Sequence, residues 1–160
     1  ISSVIDFGCG DGNQLKDMNY KKYLGLDVSV TAIQICKNEY KNNSNYNFKI
    51  LSKYNNEKAD LTLSLDVIFH LIEEKVFVNH MKSIFNASNK YVIIYSSNTD
   101  TQLRESGEHY KNRKFTDWIN TNIDNFTLIK KVKNKYPLDK ETGLGSISDF
   151  YFYTKNNIYN

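Results

Sequence analysis

The chain has 160 residues, of which 40% are hydrophobic and 24% charged, and its formal net charge is +3. That length suits a single domain with a substantial core, and the composition is that of an ordinary soluble globular protein. So small a positive surplus argues against a dedicated nucleic-acid or membrane-surface protein. No apolar run approaches the roughly 18 residues a membrane span needs, and no signal-peptide pattern is present. The two cysteines, Cys9 and Cys36, stand in no metal-like spacing, so free thiols in a reducing, cytoplasmic setting are expected and no metal site is.

The elements follow in chain order. "VIDF" at 4–7 reads as a short buried strand, ended by glycines, and a helix is expected over 12–18. "YLGLD" at 23–27 is a second strand. Ser29 then caps a helix whose apolar face is Ala32, Ile33, Cys36 and Tyr40. "YNFKIL" is the third strand. "ADLTLSLDVIF" is the fourth, apolar almost throughout, as a strand buried on both faces should be. A helix carrying Val76, Phe77, Met81, Ile84 and Phe85 on one side precedes the fifth strand, "KYVIIYSS". Thr116 reads as the N-cap of a helix with Trp118, Ile119 and Ile123. Finally "NFTLIKKVKNKY" and "SDFYFYTK" are two strands with no helical pattern between them.

Strands alternating with helices imply a doubly wound α/β fold, a mostly parallel seven-stranded Rossmann-like sheet. The last two strands should close it as an antiparallel hairpin at one edge. One domain over 1–160 accounts for the whole pattern.

The stretch "DFGCGDG" places Asp6 at a strand end and Gly8, Gly10 and Gly12 in the turn that follows. Asp27 closes the next strand about 20 residues on, where a carboxylate can accept both hydroxyl hydrogens of a ribose diol. A dinucleotide fingerprint would put its third glycine where this chain has Asn13. An anionic pyrophosphate would also be repelled by Asp6, whereas an ammonium and a sulfonium would be attracted.

On these residues the sequence resembles the class I S-adenosylmethionine-dependent methyltransferases, whose first motif is D-x-G-x-G-x-G. The resemblance covers nearly the whole chain. It implies S-adenosyl-L-methionine as cofactor, S-adenosyl-L-homocysteine as product, and a methyl-transfer reaction. Asp6, Gly8, Cys9, Gly10 and Gly12 would form the cofactor loop, and Asp27 with Val28 the ribose site. Leu65, Asp66 and Val67 match the family's fourth-strand motif beside the methionine end. Two departures stand out. Only residues 1–3 precede the first strand, where members usually carry a covering helix, so the expectation is either a missing N-terminal lid or an unusually open pocket. The acid that contacts adenine after the third strand has no good match, and Ser52 is the nearest candidate.

Acceptor residues are expected beyond the carboxyl ends of the strands. His70 after strand four is read either as a base or as a residue packing beside the cofactor loop. Tyr95 and His109 are further catalytic candidates. Arg104, Lys111 and Arg113 read either as a solvated basic loop or as a clamp for a substrate phosphate or carboxylate. The spacing of Tyr110 and Lys114 matches a dehydrogenase Tyr-x-x-x-Lys pair, but no apolar helical face accompanies it, so the match is chance. "HYKNRKFTDWI" loosely resembles small bacterial methyltransferases of surface-polysaccharide gene clusters. The expected acceptor is therefore an oxygen of a sugar, nucleotide-sugar or small phosphorylated precursor. The alternatives are a non-catalytic cofactor-binding module of a larger assembly, or an RNA or protein methyltransferase.

Overall fold

The computed structural model describes residues 1–102, 110–139 and 141–156. Seven strands form one sheet: β1 (Val4–Phe7), β2 (Tyr23–Asp27), β3 (Tyr46–Ile50), β4 (Ala59–Leu65), β5 (Ser88–Ser96), β6 (Phe126–Val132) and β7 (Asp149–Lys155). Their spatial order is β3-β2-β1-β4-β5-β7-β6. The first five pair in parallel, and β7 runs antiparallel between β5 and β6. The doubly wound sheet and its closing hairpin are therefore as the sequence predicts. Among the described residues three α-helices accompany it: α1 (Val30–Glu39), α2 (Glu74–Ala87) and α3 (Phe115–Asn122). None of the described helices is long and apolar enough to cross a membrane.

Period-two alternation sends neighbouring strand residues to opposite faces. Ile5, Phe7, Leu26, Val92 and Ile94 meet Phe77, Met81 and Ile84 of α2 and Phe115 and Ile119 of α3 in the larger core. Val4, Tyr23, Phe48, Leu61 and Leu63 meet Ile33 and Cys36 of α1 on the other face. Even the polar residues of β4 are accommodated. The Thr62 hydroxyl donates to the Ile84 carbonyl at 2.9 Å, and the Ser64 hydroxyl lies 2.8 Å from His80 Nε2.

Three local expectations are corrected. The segment after the glycines forms only a short 3-10 turn, Asn13–Asp17, because the chain must climb to β2 within a few residues. The fourth strand stops at Leu65: Asp66 turns left-handed at φ 58 and a 3-10 turn, Ile68–His70, follows. Its apolar residues Ile68 and Phe69 are buried by that turn rather than by strand pairing. Thr116 is not the N-cap of α3, which Lys114 precedes; its hydroxyl bonds instead with the Asn98 side chain.

Met81 has no exposed surface and sits between the sheet and α2. Met81→Ala should lower unfolding free energy by about 2–5 kcal/mol, the usual range for emptying such a site. Urea denaturation measures this; a loss under about 1 kcal/mol would mean the core recollapses around the deletion.

Candidate active site

Strand order reverses between β2 and β4, which flank β1, and ligands of open α/β sheets bind in the crevice that such a reversal opens. The glycine loop occupies that position. Its amides at Gly8 and Cys9 donate to the Leu26 carbonyl at 2.7 and 3.0 Å, docking the loop on the end of β2. Gly8 has φ 98, and a Cβ there would lie 2.3 Å from Val67 Cγ2. Only glycine allows both that backbone and so close an approach of the loop after β4.

Asp27 is oriented by the backbone. Its Oδ2 accepts from the Gly10 amide at 2.9 Å, and its Oδ1 accepts from the Ser29 amide at 2.8 Å. Each oxygen keeps a further lone pair for a ligand donor. Below the loop, Asp6 Oδ2 accepts from the Tyr23 hydroxyl at 2.8 Å. Its Oδ1 is buried without a partner, and burial pushes the carboxyl up to about 6, against the pull of the Tyr23 hydrogen bond. A buried carboxylate oxygen with no donor calls for one from outside the protein. An ammonium-bearing cofactor fits that demand, and a pyrophosphate does not.

Cys9 is half-buried, and its thiol and that of Cys36 both approach the Gly10 carbonyl, at 3.7 and 3.3 Å. Val67 and Leu65 are half-buried; Val28 and Ser52 are exposed, the latter in the turn directly after β3.

At the carboxyl ends of β4 and β5, the Asp66 amide donates to the Tyr95 carbonyl at 2.9 Å. Burial raises the Asp66 carboxyl, and the nearby His70 works against that shift. The His70 side chain is exposed, its ring 4.6 Å from Phe69 and edge-on to Tyr110 at 6.3 Å. Tyr110 stacks on Phe69 at 4.7 Å, and burial raises its hydroxyl. Asp66, His70 and Tyr110 thus form one cluster, joined to the glycine loop through Val67. Tyr95 belongs elsewhere: its hydroxyl accepts from Asn134 Nδ2 at 2.7 Å and its ring lies 4.4 Å from Phe150.

Arg113 and Lys111 of the basic segment are engaged elsewhere. Arg113 is buried, its guanidinium donating to the carbonyls of Leu71 (2.6 Å) and Ile72 (2.8 Å) and to Glu74 (3.3 Å), over the Phe77 ring at 4.6 Å. Lys111 turns its ammonium toward Glu74, at 3.8 Å. The expected anion clamp is therefore replaced, for these two residues, by a strut against the start of α2. The planar fork fits two carbonyls at the mouth of a helix better than any other side chain. Arg104 and His109 lie outside the described residues.

Tyr110, which the sequence reading set aside as half of a chance motif, reaches the cluster on a segment folded back onto the Ile68–His70 turn by the Lys111 amide, 2.8 Å from the Phe69 carbonyl.

A methyltransferase domain family matches residues 2–145. The structure is similar to that of a SAM-dependent methyltransferase from Methanosarcina mazei, with 14% identity, 96% of this chain on 92% of that one, and a TM-score of 0.69. It is similar to the N-methyltransferase NodS from Bradyrhizobium japonicum in complex with S-adenosyl-L-homocysteine (16%, 97% on 78%, TM-score 0.75). The magnesium protoporphyrin IX methyltransferase from Synechocystis with bound SAM is also similar (14%, 95% on 69%, TM-score 0.67). At such identities the likeness speaks for the fold. No functionally curated protein matches the sequence.

Two buried groups give this site a pH signature. Burial pushes His80 down to about 4, so the folded chain refuses a proton that the unfolded chain takes up near 6.5. Stability is lost as pH falls through that window, by about 3 kcal/mol. Asp6 acts in the opposite sense, because its folded carboxyl protonates near 6 and its unfolded one near 3.8. Stability returns as pH falls across that span, by a similar amount of about 3 kcal/mol. Denaturant titrations between about pH 7.5 and pH 4.5 separate the two. Asp6→Asn should lose stability with acid more steeply than wild type, and His80→Gln should gain it; three parallel profiles would refute the assignment.

Proposed function

The chain belongs to the S-adenosylmethionine-dependent methyltransferases, and we propose that its acceptor is a hydroxyl of a small, sugar-like molecule. S-adenosyl-L-methionine supplies the methyl group on a sulfonium, itself a good leaving group. We assign its ammonium to Asp6, its ribose to Asp27, and its backbone contacts to Gly8, Cys9, Gly10 and Gly12. Asp66 and Val67, with Leu65 behind them, line the methionine end. Val28 and Ser52 edge the adenosine end.

The observation that carries the acceptor reading is the exposed His70 imidazole beside the Asp66 carboxyl, one short turn from the glycine loop. A neutral hydroxyl gains from a base that takes its proton as the new C–O bond forms, whereas a phosphate or carboxylate oxygen does not. His70 is that base in this reading, with the Asp66 carboxyl beside it. With Arg113 and Lys111 turned to the start of α2, they supply no anion grip at this cluster. Alignment of hydroxyl and methyl does most of the remaining work, worth up to roughly 7–11 kcal/mol in favourable cases. The placement among surface-glycan precursors rests on the "HYKNRKFTDWI" resemblance alone.

Calorimetry with S-adenosyl-L-homocysteine tests the cofactor assignments. Asp27→Ala should weaken binding at least about tenfold, through two hydrogen bonds to an ionised group worth about 1.5–3 kcal/mol each. Unchanged affinity would place the ribose elsewhere. Asp6→Asn should bind more weakly too while unfolding at higher denaturant near neutral pH.

For the acceptor, incubating the enzyme with labelled S-adenosylmethionine and pools of sugars and nucleotide-sugars identifies what is methylated. His70→Asn should then lower kcat by about 10²–10⁴ with cofactor affinity intact. A variant of full activity would remove His70 from the chemistry.

A further inference from the structure

A second groove opens beside the segment that carries Tyr110. It spans about 400 Å³, a size that suits a small ligand, and lies where the chain after β5 meets the starts of α2 and α3. Its floor is aromatic. Phe77 and Phe115 are buried there, and the half-buried Trp118 meets Phe77 in a T-shaped contact at 5.7 Å. Lys111 belongs to both regions. Its amide donates to the Phe69 carbonyl of the acceptor cluster, and its ammonium stands at the groove, 3.8 Å from Glu74.

The rim carries both signs of charge, already paired. Glu74 lies 3.3 Å from the Arg113 guanidinium as well as near Lys111, and Asp117 lies 2.9 Å from the Lys114 ammonium. Asp100 spends Oδ1 on the Lys114 amide at 2.9 Å, and among the described residues its other oxygen has no partner. An anion entering the groove would have to compete with Glu74 and Asp117 for the cations. A cation would have to compete with those cations for the carboxylates. A neutral polyol displaces neither. Its hydroxyls donate to carboxylates and accept from ammoniums at once, and the C–H face of a sugar ring suits the electron-rich face of an indole.

We propose that this groove is a saccharide subsite, holding a neutral sugar ring of the methyl acceptor next to the ring that is methylated. The inference rests on the reading of the Asp66–His70 cluster as the acceptor site, and it adds that the acceptor has more than one ring. From Tyr110 to Lys114 the chain can span at most about 14 Å, a gap that a short oligosaccharide bridges. Trp118 and Asp100 hold the distal ring; neither takes part in the transfer.

Trp118 is the chain's single tryptophan, so its fluorescence reports on the groove directly. The protein, saturated with S-adenosyl-L-homocysteine, is titrated with two neutral trisaccharides, maltotriose and triacetylchitotriose, and with inorganic phosphate and spermidine as ionic probes. At least one trisaccharide should change the emission saturably, at concentrations about tenfold or more below any response to the two ions. Asp100→Asn keeps an oxygen for the Lys114 amide and should raise the half-saturating concentration about tenfold, through one weakened hydrogen bond. No saturable change with either trisaccharide overturns the proposal. So does an equal or stronger response to phosphate or spermidine, and so does an Asp100→Asn curve that overlays wild type. Methyl transfer from labelled S-adenosylmethionine to the same trisaccharides separates the two readings. Transfer that His70→Asn abolishes, with no tryptophan response, keeps the acceptor site and removes the subsite. A tryptophan response that persists in His70→Asn, with no trisaccharide methylated by wild type, keeps a saccharide site in the groove and removes the acceptor reading.

Discussion

The site depends on a side chain that is absent. Gly8 lets the loop after β1 and the loop after β4 touch, with Val67 Cγ2 where a Cβ would stand. Since β1 and β4 are adjacent at the reversal of strand order, that contact determines how the two halves of the crevice meet. The Gly10 amide on Asp27 then fixes the far side of the loop to β2. Through Val67 the same contact sets Asp66, held left-handed at the strand end, and so the His70 turn. The glycine loop and the His70 turn are joined at that one contact, between Gly8 and Val67.

That unit stores an electrostatic penalty. A carboxylate at Asp6, buried with one oxygen unsatisfied, destabilises the ligand-free chain near neutral pH. Tyr23 offsets part of it, and a cationic ligand would offset the rest. Binding and stability therefore draw on the same oxygen, which is why a strained charge persists at the centre of a well-packed sheet. His80, by contrast, avoids such a penalty by remaining neutral against Ser64 under the Phe7 ring.

Much of the fold was legible because it is written in periods. Buried strands, an apolar stripe on α2 and the missing helix between the last two strands each leave a pattern that local reading recovers. The glycines and the two acids were legible for another reason: their chemistry is specific to residue type. Where the reading failed, the deciding partner was distant in sequence. "DVIF" after Leu65 looks like more strand, and only the crowding at Gly8 and the pairing of the Asp66 amide with Tyr95 explain why it turns. Thr116 has the side chain of a cap, but Asn98 engages it from the end of β5. Tyr95 stands at a strand end facing the expected region, and Asn134 of the hairpin connection takes its hydroxyl.

Arg113 shows how far charge can mislead. In sequence it belongs to a basic run near a binding crevice, which reads as a contact for an anion. A guanidinium that becomes buried must find partners for its donors, and carbonyls at a turn supply them as well as a phosphate would. Leu71 and Ile72 present two such carbonyls because the 3-10 turn ends there before α2 begins, and Glu74 neutralises the charge. The consequence reaches the chemistry. The cation that might have gripped an anionic substrate instead holds the turn carrying His70 against the segment carrying Tyr110. What those two elements bring together is the His70 imidazole, the Asp66 carboxyl and the Tyr110 ring stacked on Phe69.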